Sequence, residues 1–324
     1  MAAPNSSGAT SGQVAVRLGG HALRRVLLIA NPASRRGARL CSAAAAALRA
    51  AGFVCDTVLT EYAGHASDCA VAAAHSYDAL FTLGGDGTAM EVIGATAPNG
   101  PPVGILPGGT GNMLARALGI PLNVRRAVRA LASGGEARID LGRLASGRRF
   151  AIGTGVGIDA SMIATTPASW KRRIGVLSYI VAGTRQVIRP ERFRARVTVD
   201  GILVERSASA VLVANFGVLL NGLITLGDGI RYDDGMLDVC MFDPRTVSDS
   251  ARIARKLMLR DFSADTGMEY LRGSNITVST DPSLPVQADG ELIGTTPFEI
   301  TTEPLAARLL VPHSQMHRNR RIDA

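Results

Sequence analysis

Twice in close succession a short apolar run ends in a cluster of glycines: Leu83-Gly84-Gly85-Asp86-Gly87-Thr88 and Leu106-Pro107-Gly108-Gly109-Thr110-Gly111-Asn112. Glycine at the hand-over from strand to helix lets the backbone pass close to an anion, and the unpaired amides and dipole of the helix start favour negative charge. Each cluster has the composition of a phosphate cradle, and two adjacent cradles can hold one polyphosphate. Asp86 would be repelled by bare phosphate, so its place in the first cradle, with a helix expected from about Thr88, suggests a bridging magnesium ion or a bound hydroxyl. Either cluster alone is also compatible with an ordinary glycine turn. No lysine follows the glycines as in a Walker loop, and GxGxxG occurs nowhere in the chain, which disfavours P-loop and dinucleotide-binding readings.

The flanking sequence supplies the strands and helices such loops need. Arg25 to Ala30 is apolar after its arginine and is stopped by Asn31-Pro32, as in a buried parallel strand. An alanine-rich helix follows from Gly37 to Ala51, then a strand from Phe53 to Leu59, a helix from His65 to His75, and strands at Ala79 to Leu83 and Pro102 to Leu106. That alternation is an α/β signature. After a helix from Asn123 to Ala132 the pattern changes to short strands: Arg138 to Leu144, Arg149 to Gly153, Arg194 to Val199, Ser209 to Val213, Leu237 to Phe242, Asn275 to Ser279 and Pro285 to Ala288. Turns such as Asp200-Gly201 and Asp289-Gly290 separate them, as in antiparallel hairpins. Two helical insertions are expected, Trp170 to Ile188 and Ser248 to Arg260.

A chain of 324 residues accommodates two domains, and 47% apolar with 19% charged residues is ordinary for a folded protein. The sequence divides into a flexible leader (1–20), an α/β domain (21–136), a mainly antiparallel β domain (137–305) and a basic tail (313–324). The leader lacks the basic start and apolar stretch of a secretory signal. Cys41, Cys55, Cys69 and Cys240 form no CxxC pair, so neither a zinc site nor a disulfide framework is indicated, and a reducing, cytoplasmic location fits best. No window reaches the roughly 18 to 20 consecutive apolar residues of a bilayer span, so membrane contact is expected to be peripheral.

A formal charge of +8 favours acidic partners. Lys171, Arg172, Arg173, Arg185, Arg189, Arg192, Arg194 and Arg196 cluster against one acid, Glu191, beside the sole tryptophan, Trp170. With only 4% aromatic residues, base-stacking platforms are poorly supplied, and nucleic acid is not the expected partner. The helix expected from Trp170 places Ile174, Leu177, Val181 and Ile188 on one face. It suits an anionic interface and equally a helix packed on the β domain.

Asn31-Pro32-Ala33-Ser34, Gly84 to Thr88 and Gly108 to Asn112, in this order and spacing, resemble the diacylglycerol-kinase catalytic family, which includes sphingoid-base and ceramide kinases. The resemblance continues through Ile139-Asp140-Leu141-Gly142, Trp170 to Tyr179, Asp233 to Val239 and Gln287-Ala288-Asp289-Gly290-Glu291, leaving only leader and tail outside. The GGDGT stretch alone is shared with NAD kinases and, in a close variant, phosphofructokinases. The family implies a phosphofructokinase-like, NAD-kinase-like α/β nucleotide-binding domain followed by a β-sandwich domain that takes the lipid, with ATP and acceptor meeting in the cleft between them. It also implies that residues 306–312 return to the first domain, which the sequence itself does not show.

By the same resemblance ATP is expected beside Asn31, Pro32, Ser34, Thr60, Gly84, Gly85, Asp86, Gly87, Thr88, Gly109, Thr110 and Asn112, and Thr60 is equally a plain strand-end threonine. Transfer to an alcohol needs a group that accepts the hydroxyl proton. Relatives carry a catalytic carboxylate in the Asp-Gly-Glu stretch, so Asp289 is the expected base and Glu291 the alternate; two apart in an extended segment, they would share a face. Without the family, Asp289 is as readily a turn residue. Asp140 resembles the residue that orients the catalytic carboxylate or its water and magnesium network; its plain alternative is a solvated acid at the domain junction. Relatives hold a structural magnesium ion (Mg2+) at the loop before Leu237, here with the Asp234 carboxylate and the carbonyls of Arg231 and Met236, where a simple acidic turn is the alternative. The expected activity is transfer of the γ-phosphate of ATP to the hydroxyl of a lipid alcohol at an anionic membrane surface, diacylglycerol foremost and a sphingoid base or ceramide next. A soluble acceptor such as NAD, and a relative that binds without catalysis, are the competing readings; a homodimer stays an open arrangement.

Overall fold

Strands β1 (Arg25–Ala30), β3 (Ala79–Gly84) and β4 (Val103–Pro107) expose almost nothing, and with the edge strand β2 (Val54–Leu59) they form a parallel array in the order β2-β1-β3-β4. The computed structural model describes residues 25–157, 191–219, 230–246 and 267–315, with short stretches at 17–18, 21–22, 224–225, 248–249, 252–253 and 255–256. Continuous apolar runs suit strands covered on both faces. The cover is helical: α1 (Gly37–Ala50) packs against α5 (Val124–Ala132), and α2 (His65–Ala73) against α3 (Asp86–Thr96), with the short α4 (Met113–Ala117) between them in sequence. The alanine run of α1 lets the helix lie close, burying Ala44, Ala45 and Leu48.

The second half is antiparallel. Its strands are β5 (Gly135–Leu144), β6 (Arg149–Phe150), β7 (Gly153–Gly157), β8 (Phe193–Val199), β9 (Ile202–Ala208), β10 (Ala210–Ala214), β11 (Leu237–Phe242), β12 (Met268–Gly273), β13 (Asn275–Asp281), β14 (Pro285–Ala288), β15 (Glu291–Thr295) and β16 (Phe298–Val311). Six of them form a sheet in the order β12-β11-β10-β7-β14-β15. Its inner face, including Val156, Val211, Val213, Val239 and Met241, packs on Ala195, Val197, Val199, Ile276, Val278 and Ile300 of the other sheet. The alternating burial along β8 is what a strand shows when it has one face in such a core.

That other sheet runs without a break from β9-β8-β13 through β16 into the parallel array. The first residues of β16 pair antiparallel with β13, and Leu309 pairs in parallel with Val103 of β4. Along its other edge β16 pairs with β5 from Ile300↔Leu144 to Val311↔Gly135, interrupted between Glu303 and Ala307. The expected division at 136/137 therefore falls inside a strand. At the interruption Leu305 has φ +51°, and its N–H is donated to Oδ1 of Asp140 at 2.7 Å.

Three expectations need correction. The strand expected from Arg149 to Gly153 is broken into β6 and β7, because the amides between them turn to a side chain. The helix expected from Thr88 starts at Asp86. Asp289 and Glu291 are not two positions of one extended segment: Asp289 and Gly290 form the turn between β14 and β15, with φ +46° and +84°. An Asp-Gly pair favours such a tight hairpin turn. The helix expected over 170–188 lies outside the described residues; of the second insertion, residues 248–249, 252–253 and 255–256 are helical. Among the described residues no helix is long and apolar enough to cross a membrane.

Because β16 belongs to both cores, damage to its buried half should weaken the whole chain. Leu309→Ala, at a fully buried position, should cost about 2–5 kcal/mol, measured as a lowered urea midpoint by circular dichroism. An unchanged midpoint would show that this end of β16 carries no weight.

Candidate active site

The two glycine loops lie against each other at the ends of β3 and β4. Gly108 donates its N–H to the Gly84 carbonyl at 2.8 Å, and a Cβ on Gly109 would stand 2.5 Å from the Cα of Gly85. Only glycine permits that approach. The loop after β1 joins them: Asn31 donates its backbone N–H to Leu83 O at 2.9 Å and its Nδ2 to Thr88 Oγ1 at 3.0 Å, and Ser34 Oγ donates to Asn31 O. Asn112, at φ +49°, closes the second loop on itself, accepting from Gly109 N–H at 2.9 Å and donating to Gly109 O at 3.0 Å. Thr60, nearly buried, hangs from Ala30 O through its N–H; Pro32 is exposed and Thr110 half-buried. The expected nucleotide positions thus come together, with much of their polar capacity already spent on one another.

Asp86 reaches from the first glycine loop to the second. Its Oδ1 accepts the N–H of Leu114 at 3.0 Å, and the amides of Asn112 and Met113 also point at the carboxylate. It is a peg from the first loop into the start of α4. Burial nevertheless outweighs these amides and raises its pKa.

Asp289 sits in a nest of three consecutive amides. Oδ2 accepts from Ala151 N–H at 2.8 Å, and Oδ1 from Ile152 and Gly153 at 2.9 and 3.0 Å. Successive N–H groups turned to one side make such an anion cup. Burial still raises the pKa to about 6 against the lowering pull of the amides, and the charge of Asp86 adds to the rise. The two carboxylates are therefore electrostatic neighbours.

Asp289 opens onto a cleft of about 500 Å³ between the two halves of the chain. Gly87, Met90, Glu91 and Gly94 of α3 form one wall; Arg148, Arg149 and Glu291 face them. Arg149 is engaged on both sides, by Glu303 at 2.6 and 3.2 Å and by Gly94 O at 3.1 Å. Arg148 is ion-paired with Glu291. Glu291 reaches the head of α3, where a Cβ on Gly87 would lie 2.7 Å from Oε1.

Asp140 is fully buried, which removes the solvated alternative. It accepts from Gly235 and Leu305 N–H, each at 2.7 Å, so it binds the 231–236 loop to the bulge of β16. Burial raises its pKa, with Asp234 and Asp233 adding to the rise. The connection to Asp289 is indirect: the buried Asn215 donates Nδ2 to Asp140 O at 2.7 Å and Ala151 O at 2.9 Å, and Ala151 begins the nest. Nothing in the sequence reading singled out Asn215, Arg148 or the 151–153 amides. Asn215 carries no local motif, whereas the Arg148-Arg149 pair after Gly147 does mark its stretch of the sequence.

At the 231–236 loop, Asp234 accepts from Met236 N–H at 3.1 Å and is ion-paired with Arg272. Asp238, buried behind it, has its pKa pushed up to about 7 by burial despite Arg272, and its Oδ2 lacks a hydrogen-bond partner. Among the described residues no group of three or more His, Cys, Asp or Glu side chains is placed to hold a metal ion; a magnesium ion on the Asp234 carboxylate with the carbonyls of Arg231 and Met236 would have to displace Arg272 from Asp234.

Comparisons with known proteins bear on the family and the fold. Residues 25–144 match the family described as diacylglycerol kinase catalytic domain, and residues 153–311 the YegS C-terminal NAD kinase beta sandwich-like domain. A "Putative lipid kinase" of Staphylococcus aureus is 30% identical over 241 residues, 73% of this chain and 78% of that protein, and one of Staphylococcus epidermidis is 30% identical over 242 residues, 74% and 78%. An uncharacterized protein of Synechocystis is 30% identical over 237 residues, 72% of this chain but 54% of that longer relative, so the match spans about half its length. A crystal structure of a putative diacylglycerol kinase from Bacillus anthracis superposes with a TM-score of 0.76 at 24% identity, covering 90% of this chain and 96% of that one, a likeness of fold.

The loop contact can be tested on stability alone. Gly109→Ala should push the loops apart at a cost of about 1–3 kcal/mol, whereas Gly94→Ala, where a Cβ meets nothing within 4 Å, should be neutral or gain up to about 1 kcal/mol in its helix. Thermal denaturation of both variants decides; equal midpoints would show that the Gly85–Gly109 approach is slack.

Proposed function

The chain belongs to the diacylglycerol-kinase catalytic family, and from that premise we propose that it is an ATP-dependent lipid kinase. It transfers the γ-phosphate of ATP to the hydroxyl of a membrane lipid alcohol, diacylglycerol foremost, giving phosphatidic acid and ADP. The acceptor is named after the family and the solved neighbours. A lipid surface approached from one side fits a chain whose described helices include none that crosses a bilayer.

The observation that carries the reading is the Asp289 carboxylate, fixed by three amides at the rim of a cleft whose other wall begins with the glycine loop at the head of α3. A phosphate on that loop and a hydroxyl at Asp289 would be neighbours. The acceptor oxygen attacks the γ-phosphorus as its proton passes to Asp289; the bond to the bridging β,γ oxygen breaks, and its electron pair leaves with ADP. Magnesium arriving with ATP would supply part of the charge neutralisation. The amides hold Asp289 in place, which matters in phosphoryl transfer because the protein contributes mainly position and charge. A pKa near 6 leaves Asp289 largely ionised at neutral pH yet basic enough to take a proton.

Asp289→Asn should lower turnover at least about a hundredfold with ATP affinity little changed, and Glu291→Gln should do less. Because the base works unprotonated, wild-type turnover should fall as pH drops through about 6, and the variant's residual rate should lack that limb. A variant that keeps full turnover, or the same acid limb, would remove Asp289 from the role.

A further inference from the structure

Two arginines line the cleft, and they are held in different ways. Arg149 is committed to the frame by both oxygens of Glu303 and the Gly94 carbonyl, with side chains only 26% and 22% exposed in the ion pair. Arg148 is paired with Glu291, and those side chains are 45% and 53% exposed. An ion pair so exposed is weak and easily exchanged. Glu291 meanwhile holds its carboxylate at the first turn of α3, 2.7 Å from where a Gly87 Cβ would be. That is the place where helix amides and dipole attract an anion.

We propose that Arg148 is a phosphate-binding residue of the cleft, and that Glu291 occupies both Arg148 and the head of α3 until a nucleotide's phosphate chain displaces it. The inference rests on the kinase reading. A triphosphate entering here meets the carboxylates of Glu91, Asp289 and Glu291 that line the cleft, and their repulsion must be offset at the cleft itself. Freed from Glu291, the planar Arg148 fork can take two phosphate oxygens at once, a stronger contact than the pair it leaves. Glu291 is then the stand-in anion of the empty cleft rather than the base, consistent with its lying at the opposite end of the turn from the amide nest.

The test is direct nucleotide binding without acceptor, by calorimetry with ATP, ADP and AMP and magnesium present. Arg148→Gln should weaken ATP binding about tenfold or more while leaving AMP nearly unchanged, and Arg148→Lys should recover only part of the loss. Glu291→Gln should tighten ATP binding severalfold, because it releases Arg148 and removes a competing charge. Equal ATP affinity in wild type and Arg148→Gln would overturn the assignment of Arg148, and weaker binding by Glu291→Gln would overturn the displacement. Wild-type protein that binds none of the three would overturn the kinase reading, and this inference with it.

Discussion

The hydrogen-bond ladders of β16 are the constraint on which the rest of the structure depends. One strand, Phe298–Val311, is paired with β13 at its start, with β5 along most of its length and with β4 near its end. The two halves therefore share a sheet instead of meeting at a hinge. Glu303 on this strand anchors Arg149, which also reaches the Gly94 carbonyl on α3. Strand, hairpin and helix around the cleft are thereby fixed to one another. The bulge at Leu305 gives the buried Asp140 its second amide, and Asn215 carries that order on to Ala151 at the nest.

Among the described residues the two central carboxylates are held by backbone amides rather than by arginine or lysine. Amides fix position without fully cancelling charge, so burial still raises the pKa of both Asp86 and Asp289. The exposed Arg148–Glu291 pair at the same cleft is weak enough to rearrange when a charged ligand enters. Structural acids elsewhere are treated differently: Glu136 and Glu303 are held by bidentate arginine pairs with Arg308 and Arg149.

What the sequence made legible was local. The strands β1, β3 and β4 announce themselves by unbroken apolar runs, the glycine loops by composition, and the Asp289-Gly290 and Asp200-Gly201 turns by their need for positive φ. What it hid depends on partners far apart in the chain. The Asp289 carboxylate and its amide nest are separated by 138 residues at Ala151, and amides carry no side-chain signature, so Arg149 to Gly153 looks like one strand. The family resemblance pointed to Asp289, but only the fold shows that Glu291 is ion-paired with Arg148 and that Asp140 serves the loop at Gly235. Burial of Asp140 likewise follows from β16 closing over β5, a long-range pairing that no periodicity within either strand could reveal.

The central claim is that this cleft moves phosphate from ATP to a lipid hydroxyl. It is tested most directly by incubating the protein with γ-labelled ATP, magnesium and mixed micelles holding, in turn, diacylglycerol, monoacylglycerol, a sphingoid base and ceramide, and following label into the lipid fraction. The account predicts label in at least one phospholipid product, strongest with diacylglycerol and lost in Asp289→Asn. Label reaching no lipid while the protein still binds ATP would contradict it, as would equal labelling by the variant.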